Sequence, residues 1–303
     1  MIYTITLNPS IDFIVPVKHI ELGGLSYMDN DYKLPGGKGI NVSRILKALS
    51  TDSVALGFTG GFTGRFIEDS LNQLDVHTNF VHIQEDTRIN IKLKSDQETE
   101  INGRGPTLTN EEVNQLLQQL EQVKEGDTVI LSGSKPPSLP GDFYEQLIQK
   151  TSRQGAAFVI DTTGAALEAS LRYKPLLVKP NIHELEALFD VKLKTDEDVI
   201  TYGKKLLELG AEHVIISMGG DGALLVTKEG NYKAKAPEGK LINSVGAGDS
   251  MVAGFISSFL KSKDPVESFK TSVASGSATA FSEDLAAAEA IENLCSQVQV
   301  KKL

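Results

Sequence analysis

An acidic side chain stands inside a glycine-rich turn near the carboxyl end of the chain. Residues 243–250 read Asn-Ser-Val-Gly-Ala-Gly-Asp-Ser, and an apolar run follows them. The pattern predicts a loop that enters a helix, whose unpaired N–H groups and dipole favour an anion. Because a carboxylate repels an anion, Asp249 at this point indicates phosphoryl transfer, in which it accepts a proton from an attacking hydroxyl group. The alternative is that Asp249 only caps the helix at the favourable end of its dipole.

A second glycine cluster, at residues 35–41, opens the first long predicted helix. It reads Pro-Gly-Gly-Lys-Gly-Ile-Asn, which has the spacing of neither a Walker A loop nor a dinucleotide-binding fingerprint. Its glycines allow a ligand to approach closely, Lys38 supplies a positive charge, and Asn41 offers both donor and acceptor groups. The alternative is a flexible turn with a solvated lysine. Two glycine-rich helix starts in one chain favour two anionic ligands, such as a sugar phosphate and a nucleotide.

The composition limits the classes of function. The chain has 303 residues, a formal net charge of −10 and a single cysteine, Cys295. The acidic charge argues against a nucleic-acid-binding protein, and it means that an anionic ligand requires local cations. The sequence contains no apolar run of membrane-spanning length and no signal-peptide pattern, and one cysteine excludes an internal disulfide. We therefore expect a cytoplasmic protein that does not bind membranes.

Apolar β-rich runs alternate with segments of helical periodicity along most of the chain. This alternation predicts one α/β domain over residues 1–303, with a mostly parallel central sheet and helices on both faces. The predicted strands cover 2–7, 53–59, 128–131, 158–161, 176–178 and 213–216. The predicted helices cover 37–50, 64–74, 113–120, 144–154, 182–188 and 200–209. Ligands of such sheets bind at the carboxyl ends of the strands.

Two stretches interrupt this alternation, at about residues 11–32 and 87–104. Both have a strand-like composition without an intervening helix, and the polar residues 95–98 between apolar runs predict a hairpin turn. We expect a small β-sheet outside the main sheet, which would form a lid and exclude water from phosphoryl transfer. The alternative is that both stretches are ordinary edge strands.

The two glycine clusters together resemble the two signatures of the ribokinase-like (PfkB) family of sugar kinases. They contribute Gly-Gly-Lys-Gly-x-Asn at 36–41 and Gly-Ala-Gly-Asp at 246–249, and the resemblance covers essentially the whole chain. Two further segments, Thr-Leu-Asn-Pro-Ser-Ile-Asp at 6–12 and Thr-Arg-Ile-Asn at 87–90, are typical of the branch that acts on ketohexose phosphates. Residues 99–106 and 243–245 are most similar to the 1-phosphofructokinase branch, and tagatose-6-phosphate kinases are close relatives.

The resemblance implies a ribokinase-like fold and an enzyme that uses ATP and Mg²⁺. The expected reaction is phosphorylation of D-fructose 1-phosphate to fructose 1,6-bisphosphate. Tagatose 6-phosphate and fructose 6-phosphate are the alternative acceptors. An alternative of another class is a sugar-phosphate-binding regulator without catalysis. Family members with such lids often dimerise through them, so a homodimer is expected.

The resemblance gives Asp249 the role of catalytic base. Backbone N–H groups of the preceding loop are expected to bind the transferred phosphoryl group, and they belong to Gly246, Ala247 and Gly248. The expected nucleotide-binding residues are Lys179, Ser217, Gly219, Gly220, Gly222 and Gly248. Without the resemblance, the Gly-Gly-Asp-Gly string at 219–222 would indicate only a hairpin turn.

The residues expected to bind the sugar phosphate lie in the first third of the chain. The carboxylate of Asp12 is expected to accept hydrogen bonds from sugar hydroxyl groups, although a turn-capping role is the alternative. The other expected residues are Gly37, Lys38, Asn41, Arg88 and Arg104. Lys38 and the two arginines are candidates for the phosphate of the substrate, since a guanidinium presents a fork of donors to phosphate oxygens. A solvated surface charge is the alternative for Arg104.

The segment 181–184 carries the Asn-x-x-Glu motif of the family. The resemblance ties Asn181 and Glu184 to Mg²⁺, usually through water, and Mg²⁺ is an ion that retains most of its water. The same spacing forms a helix capping box, and the two roles are compatible. Asp161, at the end of another predicted strand, is a further candidate for this phosphate and metal region.

Overall fold

The structure is a computed structural model that describes residues 1–28 and 30–303. Its strands are β1 (Ile2–Thr6), β2 (Ser10–Pro16), β3 (Tyr32–Gly36), β4 (Ser53–Gly60), β5 (His77–Thr78), β6 (Val81–Ile83), β7 (Arg88–Lys94), β8 (Glu98–Asn102), β9 (Thr128–Ser132), β10 (Ala157–Asp161), β11 (Leu177–Val178), β12 (Val214–Ser217), β13 (Ala223–Val226), β14 (Asn231–Ala234) and β15 (Val300–Lys302). Its helices are α1 (Lys38–Ala48), α2 (Gly61–Gln73), α3 (Asn110–Gln119), α4 (Phe143–Arg153), α5 (Gly164–Leu171), α6 (Ile182–Phe189), α7 (Asp196–Glu208), α8 (Ala247–Ser262), α9 (Pro265–Ala280) and α10 (Ala288–Cys295).

Parallel strands form the centre of a large sheet, as predicted. The strands β12, β11, β10, β9, β1, β4 and β5 lie side by side in that order, and β6 also pairs with β4. At the β12 edge, β13, β14 and β15 continue the sheet with antiparallel pairing. These three edge strands are each three or four residues long, which is too short for a periodic pattern to reveal them.

Helices cover both faces of the large sheet. Along β9, the side chains of Val129 and Leu131 pack on the side of α3 to α7, whereas Ile130 packs on the side of α1, α8, α9 and α10. Because both faces are buried, the strands appear in the sequence as continuous apolar runs. None of the helices in the described residues is both long and apolar enough to span a membrane.

Several helices begin earlier than the apolar periodicity predicts. The N-cap residues of α3 and α7 are Thr109 and Thr195, and each forms a capping box with the acidic residue three positions later. The first turns of these helices are polar, so the apolar pattern that reveals a helix starts one turn inside it. The helices α5, α9 and α10 and the three edge strands were not predicted.

A small sheet of four strands, in the order β3-β2-β7-β8, lies beside the large sheet. The β7–β8 pairing confirms the hairpin predicted at residues 95–98. The stretch 11–32 differs from the prediction: β2 ends at Pro16, and the next strand begins only at Tyr32 and runs to Gly36. The residues between them include Gly23 and Gly24, and glycine disfavours a strand. Asp29, within this stretch, lies outside the described residues.

Candidate active site

A cleft of about 1440 Å³ lies at the carboxyl ends of the parallel strands. The segments that follow β1, β9, β10, β11 and β12 all line it, together with the first turns of α1, α6 and α8. One wall comes from α9, and another comes from Asp12, Arg88 and Asn90 of the small sheet. The cleft therefore lies where ligands of parallel sheets bind.

The cleft brings the two glycine clusters together. Of the expected site residues, those that line it are Asp12, Gly37, Lys38, Asn41, Arg88, Asp161, Lys179, Asn181, Glu184, Ser217, Gly219, Gly220, Gly222, Gly246, Ala247, Gly248 and Asp249. Arg104 is not among them: its side chain is exposed, and only its carbonyl oxygen takes part nearby, as the acceptor of Asn8 Nδ2 at 3.1 Å. The structure thus supports the surface-charge interpretation of Arg104.

The turn before α8 requires a glycine at its centre. Gly246 has φ of 79°, in the left-handed region, and a Cβ there would lie 2.5 Å from Leu285 Cδ2. The N–H group of Ala247 donates to the carbonyl of Ser244 at 3.3 Å, so it is already in use. The N–H groups of Gly248 and Asp249 remain without helical partners at the positive end of the helix dipole.

The carboxylate of Asp249 lies in the first turn of α8 and is buried, with 5% of the residue exposed. Asn41, from the other glycine-rich helix start, donates from Nδ2 to Oδ2 of Asp249 at 2.8 Å. Burial and the negative charge of Asp161 raise the pKa of Asp249 to about 6, against the opposing effects of Lys38 and Lys179. Asp249 is therefore ionised at neutral pH, yet its pKa lies close enough to accept a proton during a reaction.

Two lysines share the buried carboxylate of Asp161. Lys38 Nζ donates to Oδ2 at 3.1 Å, and Lys179 Nζ lies 3.6 Å from Oδ1. Burial alone would raise the pKa of Asp161, but the two ammonium groups hold it below its usual value. Burial likewise opposes the charge of Lys38, but Asp161 and Asp249 hold its pKa above the usual value. A Cβ on Gly248 would lie 2.9 Å from Lys179 Nζ, so the ammonium group of Lys179 reaches the first turn of α8.

The carboxylate of Asp12 is held by neighbours on the small sheet. Its Oδ1 accepts hydrogen bonds from Ser10 Oγ at 2.7 Å and from Asn90 Nδ2 at 3.0 Å. A Cβ on Gly36 would lie 2.5 Å from Asp12 Cγ, so only glycine leaves room for this carboxylate. With Oδ1 fixed in this way, Oδ2 is left to accept hydrogen bonds from a ligand.

The Arg88 guanidinium is anchored by backbone carbonyl oxygens. Its Nε and Nη2 donate to the carbonyl of Asn8 at 3.2 and 2.9 Å, and Nη1 donates to that of Gly103 at 2.9 Å. Burial lowers its pKa below the usual value. A guanidinium has five N–H donors, so two remain, one on each terminal nitrogen. Arg88 thus presents a fixed fork to the cleft.

The expected metal residues form a capping box at the start of α6. The N–H of Glu184 donates to Asn181 Oδ1, and the N–H of Asn181 donates to Glu184 Oε2, both at 2.8 Å. The described residues contain no cluster of three or more His, Cys, Asp or Glu residues able to hold a metal directly. The negative charge of Glu184 helps to raise the pKa of Lys38. These residues fit an Mg²⁺ ion that keeps its waters and do not fit a full protein cage.

The glycines at 219–222 connect antiparallel strands and also line the cleft. Gly219–Asp221 is a short 3₁₀ turn between β12 and β13, so the hairpin interpretation holds. Gly222 has φ of 89°, and its Cα approaches the backbone of residues 234–236 too closely for a side chain. The turn therefore offers bare backbone to a ligand.

Besides residues 236–239 and Leu241, which follow β14, the sequence analysis missed two walls of the cleft. One is the segment 132–134 at the end of β9, where the buried Ser132 Oγ lacks a hydrogen-bond partner among the described residues. Its position directly after a predicted strand was a usable signal, because the segments that follow β1, β10, β11 and β12 also line the cleft. The other wall is α9, which contributes Val273, Gly276, Ser277 and Ala280. Small and apolar residues in a helix carry no signal for a ligand.

Comparison with known proteins agrees with this geometry. Residues 4–291 match the family described as pfkB family carbohydrate kinase. A 1-phosphofructokinase of Bacillus subtilis is 51% identical over 303 residues, which is 100% of both chains. A D-tagatose-1-phosphate kinase of Bacillus licheniformis is 38% identical over 305 residues, covering 100% of both chains. The crystal structure of phosphofructokinase-2 from Escherichia coli in complex with substrates and products is 30% identical, with a TM-score of 0.94 and 98% of each chain covered. The chain therefore belongs to the pfkB family of carbohydrate kinases.

Proposed function

We propose that this chain catalyses the ATP-dependent phosphorylation of D-fructose 1-phosphate to fructose 1,6-bisphosphate. The observation that carries the proposal is the position of Asp249: a buried carboxylate with a pKa of about 6, beside unpaired N–H groups and two ammonium groups. The choice of acceptor is supported by the relative from Bacillus subtilis, which is named 1-phosphofructokinase and matches over its full length. The presence of Asp249 as a base argues against a regulator without catalysis, because a protein that only binds a sugar phosphate needs no base.

In the proposed reaction, the C6 hydroxyl oxygen of the sugar forms a bond to the γ-phosphorus of ATP. The bond from that phosphorus to the bridging oxygen breaks, and ADP leaves with the electron pair. Asp249 accepts the hydroxyl proton as the new bond forms. Asn41 occupies Oδ2 of Asp249, which leaves Oδ1 for the hydroxyl group.

The charge of the transferred phosphoryl group would be balanced at the start of α8. The N–H groups of Gly248 and Asp249 are free there, and Lys38 and Lys179 bring their ammonium groups to the same place. Groups that are fixed before the reaction stabilise a transition state well, because they need no reorganisation. Burial of the site strengthens these charge interactions.

At the acceptor end, we assign sugar hydroxyl groups to Asp12 and the C1 phosphate to Arg88. The two remaining N–H groups of Arg88 suit a bidentate contact with phosphate oxygens. Lys38, in contrast, contacts Asp161 and belongs with the transfer groups. Gly37 and Asn41 line the space between the two ends.

We assign Mg²⁺ to Asn181 and Glu184 through bridging waters. The capping box uses Glu184 Oε2 and leaves Oε1 outside it. When bound, Mg²⁺ would neutralise part of the phosphate charge of the nucleotide. The glycines at 219–222 and α9 also line the cleft and would contact the nucleotide, whereas the segment 132–134 lies beside Lys38.

The acceptor is tested by an ADP-release assay with four sugar phosphates. Fructose 1-phosphate is expected to give the highest kcat/KM, compared with tagatose 1-phosphate, tagatose 6-phosphate and fructose 6-phosphate. The same assay without Mg²⁺ is expected to release no ADP. A higher kcat/KM with another acceptor would replace fructose 1-phosphate by that sugar, and no ADP with any of them would favour the regulator.

The pKa of Asp249 predicts the pH dependence of the reaction. Because the base must be ionised to accept a proton, kcat/KM is expected to fall as the pH drops below about 6. This fall at low pH is the acid limb of the pH profile. The residual activity of Asp249→Asn should lack it, since asparagine does not titrate. A limb that persists unchanged in Asp249→Asn would assign the titration to a different group.

We propose that the small sheet is a lid over the acceptor end and the interface of a homodimer. Asn90 faces the cleft and bonds to Asp12, so the neighbouring Ile89 points to the opposite face, with Ile101 paired to Ile91 on that face. Ile89 is 41% exposed and Ile101 is 57% exposed. Exposed apolar side chains gathered on one sheet face are typical of a protein interface.

The dimer is tested by multi-angle light scattering. The native chain is expected to have the mass of two chains, and Ile101→Lys the mass of one, because a buried unpaired ammonium group disrupts an apolar interface. Leu209→Lys, at an exposed apolar residue after α7, is the matched control and should remain dimeric. A native monomer, or a dimeric Ile101→Lys, would contradict the assignment.

A further inference from the structure

An ion pair that the mechanism above does not use joins α1 to the segment after α9. Arg44 Nη1 donates to Asp284 Oδ1 at 3.2 Å, and Nη2 donates to Oδ2 of the same carboxylate. The Arg44 side chain is 12% exposed, and neither residue lines the cleft. A bidentate guanidinium–carboxylate pair fixes orientation as well as distance. The pair therefore determines where residues 281–287, here called the α9–α10 loop, lie against α1.

The α9–α10 loop supports the turn that precedes α8. The carbonyl of Glu283 accepts a hydrogen bond from Asn243 Nδ2 at 3.1 Å. The Leu285 side chain packs against Gly246, since a Cβ on that glycine would lie 2.5 Å from Leu285 Cδ2. A displacement of the α9–α10 loop would thus remove two supports of the backbone that offers N–H groups to the phosphoryl group.

The helix at the other end of the ion pair holds the catalytic base. Arg44 lies one helical turn after Asn41, whose amide donates to Asp249 Oδ2 at 2.8 Å. Fixing α1 to the α9–α10 loop therefore couples the orientation of Asp249 to the position of Gly246. Both must be correct at once for in-line transfer, and misplacement by about 1 Å can lower a rate by about 10²-fold.

We propose that Arg44 and Asp284 are a positioning pair, which keeps the turn at Gly246 and the base Asp249 in register for phosphoryl transfer. The proposal rests on the proposed kinase function. The pair acts through Asn41 and Leu285 and touches neither substrate. A role limited to stability would lower the melting temperature and leave the turnover of folded protein unchanged.

The test compares Arg44→Met, Asp284→Asn and the double variant with the native chain. Each single variant is expected to lower kcat of the folded protein about tenfold, with KM for both substrates within about threefold of native. The double variant should lose no more than the worse single variant, because both changes remove one interaction. Asp284→Asn preserves the side-chain shape at a partly exposed position, so the comparison survives if Arg44→Met does not fold.

The matched control is Arg172→Met, which breaks a pair with Glu145 outside the cleft and should leave kcat unchanged. Native kcat in Asp284→Asn, or independent losses that multiply in the double variant, would overturn the positioning role. These outcomes leave the kinase proposal standing. No turnover by the native chain with any acceptor would overturn both proposals.

Discussion

The Asp249→Asn variant is expected to lower kcat by about 10²–10⁴-fold, the contribution of a general base. Asparagine preserves the shape of the side chain and the contact with Asn41, but it accepts no proton at neutral pH. Since the amide is neutral, it also repels a phosphoryl group less than the carboxylate does. Nucleotide binding should therefore survive, and single-turnover kinetics should locate the loss in the chemical step.

The control for this prediction is Asp69→Asn, at an exposed position on α2 outside the cleft. It makes the same chemical change and should retain native kcat. Isothermal titration of the nucleotide into Asp249→Asn should give a dissociation constant close to native. A kcat within about tenfold of native would remove Asp249 from the role of base, because general-base catalysis contributes more than that.

The second large effect is expected at Asp161, where Asp161→Ala should lower the free energy of unfolding by about 3–5 kcal/mol. The substitution leaves Lys179, which is only 6% exposed, without its carboxylate. Lys38 is partly exposed and can turn toward water, so most of the cost comes from Lys179. Urea unfolding at neutral pH measures the difference, with Glu121→Ala as the control. Glu121 pairs with Lys150 at the surface, and its loss should cost less than about 1 kcal/mol.

Asp161 also offers a readout in catalysis. Its negative charge is one cause of the raised pKa of Asp249, so its removal should lower that pKa. The acid limb of kcat/KM in Asp161→Asn is therefore expected at lower pH than in the native chain, although kcat itself should fall because the two lysines lose their anchor. An unchanged limb would mean that burial alone sets the pKa of Asp249.

The central parallel sheet and the meeting of the glycine clusters could be predicted, because alternation and residue type carry that information. The anchoring of Arg88 could not be predicted from the sequence. Its partners are the carbonyl oxygens of Asn8 and Gly103, which every residue type possesses, so no side chain reveals the contact. Arg104 shows the converse: its type suggested a phosphate ligand, but the fold directs its side chain to the surface.

The wall formed by α9 was missed for a different physical reason. Gly276 and Ser277 line the cleft, and their part in it becomes visible only when the opposite walls are in place. The ion pair of Arg44 with Asp284 joins residues 240 positions apart, and neither belongs to a recognisable pattern. In the sequence, each of these residues could pair with many residues of opposite charge. Only the folded chain shows which of them lies in contact.

The parallel pairing of β2 with β7 has a consequence for how the protein folds. Ser10 pairs with Arg88, and Asn90 donates a hydrogen bond to Ser10 from 80 residues further along the chain, so this contact cannot form as a local hairpin. Closing such a long loop costs conformational entropy before the contact can stabilise the chain. Nonlocal pairings of this kind therefore form slowly. Asp12, Asn90 and Arg88 come together only through this pairing. The acceptor end of the cleft is therefore expected to mature late in folding, after β1, β4 and α2 have brought its two strands together.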